Sequence, residues 1–288
     1  MTSKTASRYR SLQLLAATAL LPSACALAAP PSTALSVSDV IQTQRGPTRI
    51  TAKFHASMQI EFAGKVIDID PVSAGSYNRK ADLILITHAH GDHFDPAAIK
   101  KIAAAGAQII APRSIARRLT PTMKPGLVVP LDNGSKVYWS TRPKNLRAAR
   151  GADVRIEAVP MYNLARGPKP GQKFHPKGDG NGYILTLGGK RIYIAGDTEA
   201  TPAMWQLKNI DIAFLPMNLP FTMTPQEAAT GARAFKPRLV YPYHHRYPFD
   251  KPNSNTQQFA AALRGSGVQV RLLDWYPAAA VARAMTSN

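Results

Sequence analysis

The sequence predicts an α/β protein built of layered sheets, and three features carry that prediction. Strand-like apolar runs alternate with capped helical segments along most of its length. The run Leu83-Ile84-Leu85-Ile86 reads as a buried strand and leads directly into Thr87-His88-Ala89-His90-Gly91-Asp92-His93. Asp95-Pro96 then supplies an N-cap and a first helical residue. Open α/β sheets hold their ligands at such strand-to-helix turns. Two hairpins also end alike, one at Asp70 and one at Asp197, which points to a duplicated half-fold rather than a solenoid repeat.

The 288 residues are 45% hydrophobic, enough for a substantial core in one large domain or two small ones. Lys4, Arg8 and Arg10 precede an apolar stretch over residues 12–21 and the small-residue site Ala26-Leu27-Ala28, the pattern of an export signal over residues 1–28. Pro22 and the shortness of the apolar run argue against a membrane span. The single cysteine, Cys25, falls inside that signal, so the mature chain carries no thiol and suits an oxidising periplasm. A lipoprotein signal would use Cys25, but Pro22 stands where such signals usually have Leu. Soluble export, to the periplasm or beyond, is therefore expected. The formal charge is +19, and removing Lys4, Arg8 and Arg10 from 36 basic residues leaves 33 against 17 acidic ones, a formal +16. That excess favours anionic partners.

Residues 29–46 read as a polar leader, and a single domain is expected over 47–288. Met58, Ile60 and Phe62 alternate with polar residues, Ala63-Gly64 turns the chain, and Val66, Ile67 and Ile69 lead to Asp70-Pro71. Asp70 reads as orienting a ligand histidine, or as a turn-forming Asp before Pro. After the His-rich turn, residues 97–105 read as helix, 108–111 as strand and 114–120 as helix. Residues 121–155 are irregular and basic, with Arg142, Lys144, Arg147, Arg150 and Arg155, a solvated face or a footprint for an anionic partner. They lack the interleaved aromatics of single-strand nucleic-acid binders, so no stable nucleic-acid complex is expected. A strand over 154–158 enters Pro160-Met161-Tyr162-Asn163. The Gly-, Pro- and Lys-rich loop 164–182 carries His175 between Lys173 and Lys177, point charges for a phosphate or carboxylate. The second hairpin, 183–187 and 191–195 around Gly188-Gly189, ends at Gly196-Asp197-Thr198. Thr201-Pro202 caps a short helix, 210–215 is a buried strand, and Thr224-Pro225-Gln226-Glu227 is a capping box. A strand over 239–243 delivers His244 and His245, followed by a helix over 257–264 and a strand over 268–273.

Histidine with carboxylate suits Zn, Mn or Fe. His88 and His90 project the same way because extended side chains alternate with period two, whereas Asp92 and His93 follow the turn and can face a second point nearby. One short turn can thus serve two ions. All seven histidines, at 55, 88, 90, 93, 175, 244 and 245, lie at or beside an expected strand end or in the covering loop.

His88-x-His90-x-Asp92-His93 resembles the signature of the metallo-β-lactamase superfamily. Ile69-Asp70-Pro71, Val159-Pro160-Met161-Tyr162-Asn163, Phe174-His175-Pro176-Lys177-Gly178, Ala195-Gly196-Asp197-Thr198 and Tyr241-Pro242-Tyr243-His244 follow in the order of one branch. That branch is similar to ascorbate-6-phosphate lactonase-like and N-acyl-phosphatidylethanolamine phospholipase D-like hydrolases, and the similarity runs from about Arg49 to Trp275. The resemblance implies a four-layer αββα sandwich and two divalent ions, Zn2+ first, with Mn2+ or Fe2+ as alternatives. His88, His90 and His175 would hold the first ion, Asp92, His93 and His244 the second, and Asp197 would bridge them. Relatives often carry a histidine at the position of His55. Many have a metal-binding histidine where this chain has Asn163, which leaves the third ligand of the first ion to His175 or Asn163.

The activity implied is hydrolysis of an ester, lactone, amide or phosphodiester by an activated water. Asp92 would accept its proton, His175 would act as ligand or as donor to the reacting oxygen, and Lys177 or Tyr162 would steady the anion formed. The charge points to a small anionic substrate. An iron oxidoreductase, a nuclease and a non-catalytic metal binder are the competing readings.

Overall fold

The structure is a computed structural model that describes Met1 and residues 35–123, 127–141, 153–251 and 254–286. The expected export signal, Met1 aside, lies outside the described residues, as do Arg142, Lys144, Arg147 and Arg150.

The first sheet holds β1 (Ser38–Thr43), β2 (Gly46–Phe54), β3 (Ser57–Phe62), β4 (Lys65–Ile69), β5 (Ala81–Leu85), β6 (Ala103–Ala111) and β7 (Val128–Pro130), side by side in chain order. The second holds β8 (Lys136–Trp139), β9 (Val154–Met161), β10 (Gly180–Leu187), β11 (Lys190–Ile194), β12 (Ile212–Pro216), β13 (Leu239–Tyr243) and β14 (Gln269–Val270), likewise in order. In the first, β1 to β4 pair antiparallel and β4 to β7 parallel. In the second, β8 to β11 pair antiparallel and β11 to β14 parallel. The two halves therefore repeat one plan, the duplication that the matching Asp-terminated hairpins suggest.

Strands covered on both faces read as continuous apolar runs, and β12 and β13 are buried at every residue. Between the sheets, Met58, Ile60, Phe62, Ile67 and Ile69 meet Ile156, Leu185, Ile192, Phe214 and Tyr241. Outside the first sheet, Ile84 and Ile86 pack against Ile99 and Ile102 of α1 (Pro96–Ile102) and Ile115 and Leu119 of α2 (Arg113–Leu119). Outside the second, Ala213, Leu215 and Val240 pack against Met204 of α3 (Pro202–Trp205), Ala228 and Ala232 of α4 (Pro225–Phe235), and Phe259 of α5 (Thr256–Ala262). The result is the αββα sandwich. Ala280 and Ala284 of α6 (Ala278–Thr286) join the inter-sheet core. Among the described residues no helix is long and apolar enough to cross a membrane.

The strand expected over 268–273 is only Gln269–Val270, α6 was not expected, and three further segments differ from the sequence expectation. The leader contains β1 and the start of β2; β1 is an edge strand with only Ile41 buried, so little apolar patterning marks it. The helix expected over 97–105 stops at Ile102, because Ala103 pairs with Ala81 in a parallel ladder that overrides the helix propensity of three consecutive alanines. The irregular stretch after residue 120 holds β7 and β8, both too short to show a period.

Candidate metal centre

The strands β4, β5, β11 and β13 lead into residues that meet at one point. After β5 the chain makes a tight turn, closed by bonds from the backbone N–H groups of His93 (3.0 Å) and Phe94 (2.8 Å) to the His90 carbonyl. Asp95 caps α1 by accepting from Ala98 N at 2.9 Å, and it ties the turn to Ser73 through Ser73 N at 2.9 Å and Ser73 Oγ at 2.5 Å. Asp197 arrives from β11 through Gly196, whose φ of +63° a side-chain-bearing residue rarely adopts. A Cβ there would lie 2.6 Å from Met161 Sδ. His244 follows β13, and His175 comes from the loop between β9 and β10. Among the described residues, six other than glycine have positive φ, and three of them are His55 (56°), Asp70 (46°) and His244 (49°). Such backbone costs on the order of 1 kcal/mol per residue, and it clusters here, at strand ends that aim side chains inward.

The donors of the expected second ion converge closely. His93 Nε2 lies 2.9 Å from His244 Nε2, 3.4 Å from Asp197 Oδ1 and 3.7 Å from Asp92 Oδ2. His244 Nε2 lies 3.4 Å from Asp92 Oδ2 and 3.3 Å from Asp197 Oδ1. Four N and O donors set tetrahedrally at about 2.0–2.1 Å around one ion would lie roughly 3.3 Å apart. The first group is similar. His88, His90 and His175 each offer a ring nitrogen within 4.8 Å of the others, and His88 Nε2 lies 3.1 Å from His90 Nδ1. Asp197 stands between the groups, with Oδ1 toward His93 and His244 and Oδ2 3.4 Å from His175 Nε2. His175 Nε2 and Asp197 Oδ1 are buried without a hydrogen-bond partner, as cation ligands would be. The donor set fits two divalent metals.

The partners behind these side chains decide which nitrogen faces inward. Asp70 Oδ2 accepts from His93 Nδ1 at 2.8 Å and from Thr87 Oγ1 at 2.6 Å, while Oδ1 accepts from Thr87 N at 2.7 Å. With its proton given to Asp70, the Thr87 hydroxyl accepts from His88 Nδ1 at 3.0 Å. His93 and His88 therefore both present an Nε2 lone pair to the centre.

Asn163 is not among the converging donors. Its Oδ1 accepts from the His175 backbone N–H (2.8 Å) and from His175 Nδ1 (2.7 Å), and its Nδ2 donates to Phe221 O (2.8 Å) and Glu199 Oε1 (3.1 Å). Asn163 thus holds His175 with Nδ1 protonated and Nε2 facing Asp197, an acceptor geometry rather than that of a donor to a reacting oxygen. Asn163 serves the first group by holding His175 and not as a donor of its own.

His55 is also accounted for. The Tyr276 hydroxyl accepts two backbone N–H groups, from His245 and Arg246, both at 2.8 Å. Its one proton is left for His55 Nδ1 at 2.8 Å. His55 Nε2 then carries the ring proton and donates to Asp92 Oδ2 at 3.2 Å. In this arrangement His55 orients Asp92, and its ring nitrogen also lies within 4.8 Å of the Asp92 and His244 donors. His245 turns away, its ring 4.9 Å from that of Tyr276.

The family model described as Beta-lactamase superfamily domain matches residues 49–244. The chain belongs to that superfamily. A UPF0173 metal-dependent hydrolase of Anoxybacillus flavithermus (strain DSM 21510 / WK1) is 32% identical over 237 residues, covering 78% of this chain and 97% of the relative. Another, of Thermococcus onnurineus (strain NA1), is 34% identical over 202 residues, covering 66% and 81%. Among solved structures, a protein of Parabacteroides distasonis ATCC 8503 named as a metal-dependent hydrolase is 38% identical, with a TM-score of 0.69 over 82% of this chain and 98% of its own. Igni18 of Ignicoccus hospitalis, at 23% identity and a TM-score of 0.62 over 80% and 96%, shares the fold. The chain is a metal-dependent hydrolase of the metallo-β-lactamase fold.

The electrostatics of this metallo-β-lactamase-fold centre favour a bound cation. Burial alone would push the Asp197 carboxyl up, but His244, His93 and His175 hold it well below its usual range. Asp92 is held down in the same way, chiefly by His93 and His244. Burial pushes His175 and His55 down to about 4, and His88 well down. His93 goes the other way, because Asp197 and Asp92 outweigh its burial. The carboxylates draw one positive charge to this point, a proton on His93 or a metal in its place. Lys173 donates to Ala165 O at 3.1 Å, and Lys177 Nζ sits 5.3 Å from the Tyr162 ring centroid, so both are engaged away from the donors. Sequence reasoning missed Tyr276 and Glu199, which hold His55 and Asn163 together with nearby backbone N–H groups and leave no motif.

Proposed function

We propose that this hydrolase cleaves an ester, lactone or phosphodiester with a water activated between two divalent ions, Zn2+ ahead of Mn2+ or Fe2+. The observation that carries this reading is the convergence of His93, His244, Asp92 and Asp197, from three separate segments, at donor spacings of 2.9–3.7 Å. Bound ions of this kind lower the pKa of a coordinated water to about 7 and polarise the oxygen under attack. His88, His90 and His175 form the first ligand set, His93, His244 and Asp92 the second, and Asp197 lies between them. Asp92 borders the cavity and accepts the water proton, steadied by the His55 N–H. The bond between the acyl carbon (or phosphorus) and the leaving oxygen breaks, the water oxygen takes its place, and the proton passes to the leaving oxygen. The sequence pattern of residues 1–28 supports action after export.

The test is metal analysis of the purified chain, followed by reconstitution with zinc, manganese or iron and a screen of esters, lactones, phosphodiesters and β-lactams. Two ions per chain and turnover that His90→Ala abolishes are expected. Absence of metal, or turnover that survives His90→Ala, would overturn the reading.

A further inference from the structure

The cavity of about 610 Å3 that His90, Asp92, His175 and Asp197 border is also lined by five aromatic rings, Phe54, Phe174, Phe221, Tyr247 and Phe249. They form a continuous arc. Successive ring centroids are 4.9 Å apart for Phe174 and Phe221, 5.8 Å for Phe221 and Tyr247, 5.6 Å for Tyr247 and Phe249, and 5.0 Å for Phe249 and Phe54. Every pair packs edge to face, so the rings brace one another whether or not a ligand is present. The arc runs from Phe54, buried beside His55, past a half-exposed Tyr247 to Phe174, the residue before His175. Among the described residues no lysine or arginine lines this cavity. Besides Asp92 and Asp197, the acid in the lining is Asp95, the N-cap of α1. An anionic group seated on the arc would leave water for a wall of rings that bears no cationic side chain among the described residues.

We propose that the substrate is an uncharged carboxylic ester or lactone carrying an aromatic or bulky apolar group that seats on this arc, with Phe221 and Phe249 as its specificity-determining residues. The proposal rests on the hydrolase reading above and narrows it. Phosphodiesters and phosphorylated lactones fall outside the class. In the step, the water oxygen bonds to the carbonyl carbon, the acyl carbon–oxygen bond breaks, the leaving oxygen takes one water proton, and the acid releases the other to solvent.

The test uses the metal-reconstituted full chain and two matched compounds, naphthyl acetate and its ring-sulfonated analogue, which share the scissile bond and differ in charge. Binding of naphthol and its sulfonate is measured in parallel by calorimetry, which needs no turnover. The neutral ester is expected to exceed the sulfonate in kcat/KM by about tenfold or more, and naphthol to bind saturably where its sulfonate does not. Phe221→Ala is expected to weaken naphthol binding and raise KM for naphthyl acetate by roughly three- to tenfold, with Phe221→Tyr restoring most of the loss. Equal or better handling of the sulfonate by the wild-type chain overturns the proposal without any variant. Turnover of small esters without naphthol binding overturns it too and leaves the hydrolase reading standing. Discriminating binding of naphthol with no turnover of any ester or lactone upholds the apolar seat and overturns the ester or lactone as the bond cleaved.

Discussion

Asn163 Oδ1 lies 2.7 Å from His175 Nδ1, and that hydrogen bond decides which nitrogen of the ring faces the centre. The same oxygen accepts the His175 backbone N–H, while the Asn163 backbone N–H donates to the His175 carbonyl at 2.9 Å. Asn163→Ala should release the ring and lower metal affinity in the group of His88, His90 and His175 by about 10- to 100-fold, the range for losing a partner behind a ligand histidine. Asn163→Asp keeps the acceptor and should lose less. Titration against a competing chelator checks this. A site-selective loss, with the other ion retained, is the expected result.

Tyr276 makes a second such prediction. Tyr276→Phe removes the proton that His55 Nδ1 accepts and strips the acceptor from the backbone N–H groups of His245 and Arg246. Leaving buried N–H groups unpaired costs about 1–3 kcal/mol each, so the variant should melt at lower temperature. Metal affinity at the Asp92 group should also fall. His55→Ala should weaken metal binding less than His93→Ala does, because His55 acts through Asp92. Equal losses in the two variants would mean that His55 is itself a ligand.

The donors were legible in the sequence because their signals are local. The spacing at residues 88–93, the Asp ending each hairpin and the histidine after an apolar strand are each visible within ten residues. The αββα order was legible for the same reason, since alternation and capping are short-range. The role of Asn163 was not, because it depends on a loop folding back over twelve residues. Tyr276 and the ring arc were hidden for a stronger reason: Phe54, Phe174, Phe221 and Phe249 are ordinary apolar residues in four distant segments, and only the tertiary fold assembles them. The expectation of an anionic substrate came from net charge, which describes the whole surface and not the lining of one cavity.

Asp68 is a buried carboxylate outside the metal centre, and it titrates in an accessible window. Burial pushes it from 3.8 up to about 7, against a hydrogen bond from Gln59 and the charge of Lys53. A carboxyl raised in the folded state contributes stability that is fully present below its unfolded pKa and lost as pH rises toward 7. Asp68 Oδ2 and Gln59 Oε1 are both buried without a hydrogen-bond partner, so an amide at this position can donate where the carboxylate cannot. Asp68→Asn should therefore be more stable than the wild type at pH 8, with a gain that shrinks toward pH 5. Denaturant melts across that range check it. A gain independent of pH would mean that Asp68 is already ionised throughout.

Metal removal gives a count of ions as well as a test of their presence. A ligand that binds only the folded chain stabilises it in proportion to the logarithm of its free concentration once the site is near saturation. Each ion should then add about 1.4 kcal/mol per tenfold rise in free metal. Two ions held by the sets around His88 and His93 should give a slope of roughly 2.7 kcal/mol per decade in chemical denaturation at buffered free zinc. Asp197→Asn removes one of the charges that face both groups and should depress both affinities together, whereas His90→Ala should halve the slope by emptying one site. A flat dependence on free metal would mean that the convergence of Asp92, His93, Asp197 and His244 is a hydrogen-bonded polar cluster and no metal centre.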